Sequence, residues 1–259
     1  MARDLHRKVR GRTVTDVVVH KKDVLRGATP ARLRRALLGR RIERVWRRAK
    51  LAVLDFDSGS RIAVQPRFTG SFVVERSGRG ADDYCTLHLL LDDGRRLHYR
   101  DVRRLGTFSF FAPGEFELYE SKLGPEPLDP EFTADTLYAI LSGSIRPVKP
   151  RLMDQYKLAG VGNIYASEAL WRAKIDPSRP ARTVKRAETA ALHEGIVSVL
   201  HEAIEHRGTT IRDYDEGAFA ERLAVYDRAG EPCLRCGTRI VLTHAIDGRA
   251  TYFCPRCQR

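Results

Sequence analysis

The sequence predicts an α+β chain of several domains: an antiparallel β-sandwich first, a helical half second, and a short cysteine-bracketed β-hairpin last. Three observations carry this. Short β-rich runs separated by Asp-Gly-type turns recur up to about residue 111. A proline-bracketed break, Leu123-Gly124-Pro125-Glu126-Pro127-Leu128, then intervenes, and beyond it the apolar spacing becomes helical. Two C-x-x-C pairs close the chain.

Taken in order, the β-rich runs are Thr13 to His20, Arg41 to Arg47, Lys50 to Phe56, Arg61 to Gln65, Ser71 to Glu75, Cys85 to Leu91, Arg95 to Arg100 and Thr107 to Phe111. Asp57-Ser58-Gly59, Arg79-Gly80 and Asp92-Asp93-Gly94 separate them, and one helix, about Pro30 to Leu38, interrupts the series. No long helix links the runs, which favours antiparallel pairing over a parallel sheet. The helical half reads as Phe132 to Leu141, Pro150 to Leu158, Ile164 to Ala173, Ala187 to His206 and about Phe219 to Val225. These boundaries give domains at 1–122, 123–228 and 229–259.

The loop Ala159-Gly160-Val161-Gly162-Asn163 has two readings. Its glycines can expose backbone amides at a helix start, an arrangement that binds phosphate. It can equally be a glycine C-cap followed by an Asn N-cap.

A chain of 259 residues buries a real core, which excludes a small disulfide-stapled fold. With 31% charged and 42% hydrophobic residues, and no apolar run near the ~18 residues of a membrane span, it is neither disordered nor membrane-spanning by this reading. The formal net charge of +13 favours a polyanionic partner such as nucleic acid. All of it comes from residues 1–50, which hold 17 basic and 4 acidic side chains. The start lacks the apolar segment and cleavage site of a secretory signal, so a reducing cytoplasm is expected.

Cys233-Leu234-Arg235-Cys236 and Cys254-Pro255-Arg256-Cys257 are separated by 17 residues, a spacing that suits one tetrahedral zinc. Thiolates from Cys233, Cys236, Cys254 and Cys257 fill every position and leave none for water, so the zinc is expected to be structural. Redox use of a C-x-x-C pair is the alternative. Between the pairs, Thr238 to Thr243 and Arg249 to Phe253 read as the two strands of a hairpin. Cys85, inside a strand run, reads as a buried apolar residue.

Several segments together resemble the formamidopyrimidine-DNA glycosylase and endonuclease VIII family, the glycosylase branch more closely. They are Arg48-Ala49-Lys50, Tyr99 to Gly106, Leu123 to Leu128, Leu152-Met153-Asp154-Gln155, Gly160 to Leu170, Gly208-Thr209-Thr210, Val225 to Arg228, and Gly230 through the cysteine hairpin to Gln258. The resemblance implies a β-sandwich, a helix-two-turns-helix domain and a zinc hairpin clamping double-stranded damaged DNA in the cleft between the halves. It also implies a monomer in the bacterial cytoplasm, close to the nucleoid, with no membrane partner. Such enzymes flip a damaged base out of the stack, attack its sugar with an N-terminal proline amine to form a Schiff base, and cut the strand by elimination.

Carried over by position, Lys50 matches a lysine at the lesion phosphate; from the residues alone it is one more member of the basic run Arg44, Arg47, Arg48. Gly162 and Asn163 match the phosphate-binding turn, with Lys149 nearby as a backbone contact. Arg249 matches the hairpin arginine that grips phosphates, and Glu168 matches a helix-borne acid facing the active site; a helix-surface ion pair explains Glu168 equally well. Arg103 matches the residue inserted opposite the flipped base, the alternative being an ion pair with Asp101. Phe68, in Gln65-Pro66-Arg67-Phe68-Thr69-Gly70, stands where relatives carry a methionine and is the expected void-filling wedge, while Leu105 replaces a phenylalanine. Tyr84 joins the expected DNA-contacting set.

The chain departs from the pattern at its start. Ala2 to Gly11 resembles the segment that follows the family's Pro-Glu-Leu-Pro-Glu-Val-Glu motif, so the nucleophile and its partner acid are expected to be absent. The stretch Asp213 to Phe219 is shorter than the loop that covers a flipped 8-oxoguanine. The expected activity is therefore base-excision glycosylase and abasic-site lyase chemistry on oxidised bases, with a catalytically silent, zinc-containing binder of damaged DNA as the alternative. A ribosome- or RNA-associated zinc ribbon rests only on basicity and the cysteine pairs.

Overall fold

The computed structural model describes residues 1–76, 83–206, 208–211 and 214–259. The Arg79-Gly80 turn and Asp213, where the expected lesion-covering loop starts, lie outside them. By backbone proximity the chain divides into two compact units, Met1–Lys122 and Leu123–Arg259.

The first unit runs α1 (Ala2–Val9), β1 (Val14–Val19), β2 (Leu25–Arg26), α2 (Pro30–Leu37), β3 (Ile42–Arg48), β4 (Leu51–Phe56), β5 (Arg61–Gln65), β6 (Gly70–Arg76), β7 (Cys85–Leu91), β8 (Arg95–Asp101), β9 (Thr107–Phe111) and α3 (Glu115–Glu120). One sheet has the order β1-β7-β8-β6 and the other β2-β9-β5-β4-β3. All pairings are antiparallel except β2 with β9. Alternation decides which face is buried. Leu87, Leu89 and Leu91 of β7, Leu97 and Tyr99 of β8, and Leu54, Phe56, Ile62, Val64, Phe108 and Phe110 of the five-stranded sheet form one core. Val53 and Ala63 point the other way and are covered by Phe116 of α3, whose burial contributes ~2–3 kcal/mol.

α1 was not legible in the sequence. Five of its eight residues are charged or His, and Leu5 and Val9, one turn apart, are its buried contacts. The His6 ring adds a link by accepting a hydrogen bond from Val45 N–H at 3.0 Å through Nδ1. α3 and β2 are likewise too short for a periodic signal.

The second unit continues with α4 (Ala134–Ser142), α5 (Val148–Leu152), α6 (Asn163–Arg172), α7 (Arg186–Glu205), β10 (Thr209–Ile211), β11 (Tyr214–Ala218), β12 (Val241–Thr243) and β13 (Thr251–Phe253). Leu137, Leu141, Leu152, Leu170, Leu192 and Ile196 form its core. The helix expected over Pro150 to Leu158 stops at Leu152. Beyond it Asp154 accepts Tyr156 N–H through its side chain at 3.1 Å and Leu158 N–H through its carbonyl, giving a turn in place of a longer helix. The helix expected over Phe219 to Val225 is a single 3-10 turn, Phe219–Arg222. β12 and β13 form the hairpin between the cysteine pairs, in the register Val241 to Phe253 and Thr243 to Thr251.

Candidate functional site

In the first unit, β3 and β4 meet in a tight turn, Ala49-Lys50, closed by the Arg48–Leu51 pair. Ala49 takes φ 51°, and its carbonyl accepts from Arg47 Nη1 at 3.0 Å. Lys50 thus sits half-buried at a hairpin tip.

A second feature is built from two turns. Phe68 is 61% exposed, and the guanidinium of exposed Arg103 lies 5.5 Å from its ring centre. Beneath them Thr69 Oγ1 donates to Asp101 Oδ1 at 2.5 Å and accepts from Arg103 N–H at 3.1 Å. Asp101 Oδ2 accepts from Gly106 N–H at 2.7 Å. Asp101 is 1% exposed, so it is an internal bolt and not the surface ion-pair partner that one reading of Arg103 required. Tyr99, buried between the turns, explains two glycines: a Cβ on Gly106 would lie 2.0 Å from its hydroxyl and one on Gly70 2.6 Å. Burial, then the Asp101 charge, pushes its phenol pKa up, so it stays neutral. Leu105 is exposed beside this ledge, and Tyr84 is exposed while its carbonyl accepts Asp101 N–H at 3.0 Å. Thr69 and Asp101 were missed as candidates; their signal was a small hydroxyl and an acid flanking the residues already chosen.

In the second unit Gly162 is the N-cap of α6 and Asn163 its first residue, so the reading of Asn163 as N-cap is corrected. The Asn163 side chain serves elsewhere, donating through Nδ2 to the Ala250 carbonyl at 2.9 Å. Lys149 converges on the same place. Its Nζ donates to Ala250 O at 3.2 Å and to Thr251 Oγ1 at 2.6 Å, and the residue is fully buried. Burial pulls its pKa down to about 8, with Asp247 opposing and Arg249 adding to the shift. As placed, Lys149 is an internal strut and not an exposed backbone contact. Lys149 and Asn163 fix the carbonyl next to Arg249, which is exposed and lines an open cleft of about 350 Å³ with Arg146, Pro150, Met153, Asp154 and Asp247.

Glu168 requires a larger correction. Its carboxylate, 1% exposed, accepts three backbone N–H groups, Ala224 on Oε2 at 2.9 Å and Val225 and Tyr226 on Oε1 at 2.9 Å each. It faces a loop backbone and is neither an acid open to a substrate nor a helix-surface ion pair.

The Sγ atoms of Cys233, Cys236, Cys254 and Cys257 all lie within 4.8 Å of one another, with Cys236 to Cys254 at 3.5 Å and Cys233 to Cys257 at 4.0 Å. A tetrahedral zinc with ~2.3 Å bonds places its sulfurs ~3.8 Å apart, so the donor set fits one structural zinc. The hairpin packs on α6 through Trp171, which contacts the cluster of Cys233, Ile240, Tyr252 and Cys254. Arg235 stacks on that indole at 4.1 Å and donates to the Trp171 carbonyl at 3.0 Å.

Three family models match in succession: the formamidopyrimidine-DNA glycosylase N-terminal domain over residues 1–108, the formamidopyrimidine-DNA glycosylase H2TH domain over 123–215, and the zinc finger found in FPG and IleRS over 230–259. A formamidopyrimidine-DNA glycosylase of Roseiflexus sp. is 41% identical over 228 residues, 86% of this chain and 83% of the relative. One of Bacillus licheniformis is 38% identical over 259 residues, 97% of this chain and 94% of the relative. The Lactococcus lactis Fpg solved with abasic-site DNA superposes with a TM-score of 0.92 at 29% identity, covering 100% of this chain and 96% of that one. With relatives this similar over nearly its whole length, the chain belongs to the formamidopyrimidine-DNA glycosylase family.

Proposed function

We propose that this protein acts in base-excision repair as a DNA glycosylase and abasic-site lyase on duplexes carrying oxidised or ring-opened bases. The Phe68–Arg103 ledge carries the reading. An exposed ring with a guanidinium stacked on it, bolted from below by Thr69 and Asp101, suits the gap that a flipped base leaves in a duplex. Stacking of this kind contributes ~1–3 kcal/mol per base, comparable with the cost of unstacking a lesion. Arg249, Lys50 and the amides at the start of α6 supply phosphate contacts in this reading, with Lys149 and Asn163 acting through Ala250 to position Arg249.

The Schiff-base step needs an amine that becomes an iminium and draws electrons from the sugar. The first proline in this sequence, Pro30, opens α2 with its nitrogen in a peptide bond, so it cannot serve. Borohydride trapping on abasic-site and 8-oxoguanine duplexes tests this, comparing residues 1–259 with an extended chain in which Pro-Glu-Leu-Pro-Glu-Val-Glu precedes them. Trapping by the extended chain alone supports the reading. Trapping by residues 1–259 alone assigns the chemistry to another amine, Lys50 being the first to test. Lesion binding without trapping by either leaves a non-catalytic binder.

A further inference from the structure

Outside the cysteine hairpin, imidazoles and one thiol converge on the outer face of the four-stranded sheet. His88 and His98 are direct partners across β7 and β8, pointing away from the core that Leu87, Leu89 and Leu97 enter. Strict alternation would send Cys85 into that core beside Leu87. The register instead slips between them, with Cys85 facing Arg100 and Leu87 facing Tyr99, and such a bulge re-aims a side chain. Cys85 is buried, as the sequence suggested, and its Sγ ends 3.3 Å from His98 Nδ1. His20 arrives from the end of β1, where its own N–H and that of Lys21 both donate to Thr86 O at 2.9 Å, and its Nε2 lies 3.2 Å from His88 Nδ1.

We propose that His20, Cys85 and His88 form a second metal site, which takes a divalent cation of the zinc class through two imidazole nitrogens and one thiolate. Ligand atoms of these three residues lie within 4.8 Å of one another. A tetrahedral zinc with Zn–N of ~2.05 Å and Zn–S of ~2.3 Å sets its ligands ~3.3–3.6 Å apart, so the His20–His88 separation of 3.2 Å is close to one edge of such a site. A borderline metal suits a mixed sulfur and imidazole set better than magnesium or calcium. His98 positions the thiol. Glu75 Oε1 lies 3.0 Å from its Nε2 on one side of the ring, and its Nδ1 faces Cys85 Sγ on the other. Binding exchanges the Cys85 S–H for a sulfur–metal bond and releases the proton to solvent. Cys85 and His88 are buried whereas His20 is exposed, so the fourth position opens on the solvent side, where water completes the shell.

Zinc per chain, measured by mass spectrometry on the full protein after dialysis against metal-free buffer, gives the test. The native chain is expected to hold two zinc ions. H20N and C85S are expected to hold one, with the four-cysteine centre still loaded, and cobalt titration is expected to show a second, sulfur-bearing site that H20N weakens at least ten-fold. Because His20 is exposed, H20N decides the matter even where C85S fails to fold. One zinc per native chain with no second step up to a hundred micromolar zinc or cobalt overturns the proposal, as do two ions that H20N leaves in place.

Discussion

Thr69 Oγ1 and Asp101 Oδ1 meet at 2.5 Å in the interior, and that contact ties two separate turns together. The turn before β6 carries Phe68, and the turn after β8 carries Arg103 and Leu105. Removing the hydroxyl in Thr69→Val leaves a buried carboxylate oxygen and the Arg103 N–H short of a partner. That costs ~1–3 kcal/mol, read as a lower urea midpoint, together with weaker lesion-duplex binding. Phe68→Ala separates the two effects. With 61% of the residue exposed, its midpoint should stay within ~0.5 kcal/mol of the parent, while affinity for an abasic-site duplex falls about ten-fold. Equal affinity in Phe68→Ala would remove the wedge from the account.

Glu168→Gln tests whether that residue holds a fold or performs a reaction. A carboxylate offers oxygens to all three amides of 224–226, whereas an amide turns an NH2 towards one of them. The expected loss is ~2–4 kcal/mol in unfolding free energy, with trapping by the extended chain reduced only as far as the folded fraction falls. A rate drop of a hundred-fold at an unchanged midpoint would return Glu168 to the chemistry.

Metal removal has a spectroscopic readout, because Trp171 is packed between α6 and the hairpin cysteines. Zinc supplies what a hairpin of two three-residue strands cannot bury for itself. Chelation, or Cys254→Ser, should therefore shift Trp171 emission to the red, and Trp171→Phe should abolish the shift. The Ala250 carbonyl that Lys149 and Asn163 hold is lost with the hairpin, so Arg249 loses its placement and duplex affinity should fall about ten-fold or more. An unchanged emission maximum on complete chelation would mean the hairpin stands without its metal.

The sandwich was legible because period-two burial and Asp-Gly turns survive in a sequence read alone, and the eight longer strands fell within a residue or two of the expected runs. The zinc ligands were legible because their spacing is itself the signal. What spacing cannot convey is where a polar side chain spends its hydrogen bonds. Lys149, Asn163 and Glu168 were chosen as residues open to DNA or substrate. Burial reassigns Lys149 and Glu168 to holding backbone, and Asn163, half-buried, spends its amide on Ala250. Thr69 drew no attention, and Asp101 only as a surface ion-pair partner for Arg103, because a hydroxyl and an acid in turns look ordinary until both are found inside.

The start of α7 provides a pH-dependent measure of the second unit. Arg179 reaches Glu188 through Nη1 at 2.7 Å and Nη2 at 3.0 Å, and the same carboxylate, in the first turn of α7, accepts Lys185 N–H at 2.8 Å. The Arg179 bond, then the Lys185 amide, holds the Glu188 carboxyl at about 2, below its ordinary 4.5. Because the folded value is the lower one, the unfolded chain binds more protons between these limits. The stabilisation is therefore complete above about 4.5 and disappears as pH falls towards about 2. With a third of the side chain exposed, it amounts to about 1 kcal/mol at neutral pH. Glu188→Gln should lower the urea midpoint at pH 7 by that amount, and the difference from the parent should close between pH 4.5 and pH 2. A gap that widened on acidification would assign the sensitivity to another carboxylate.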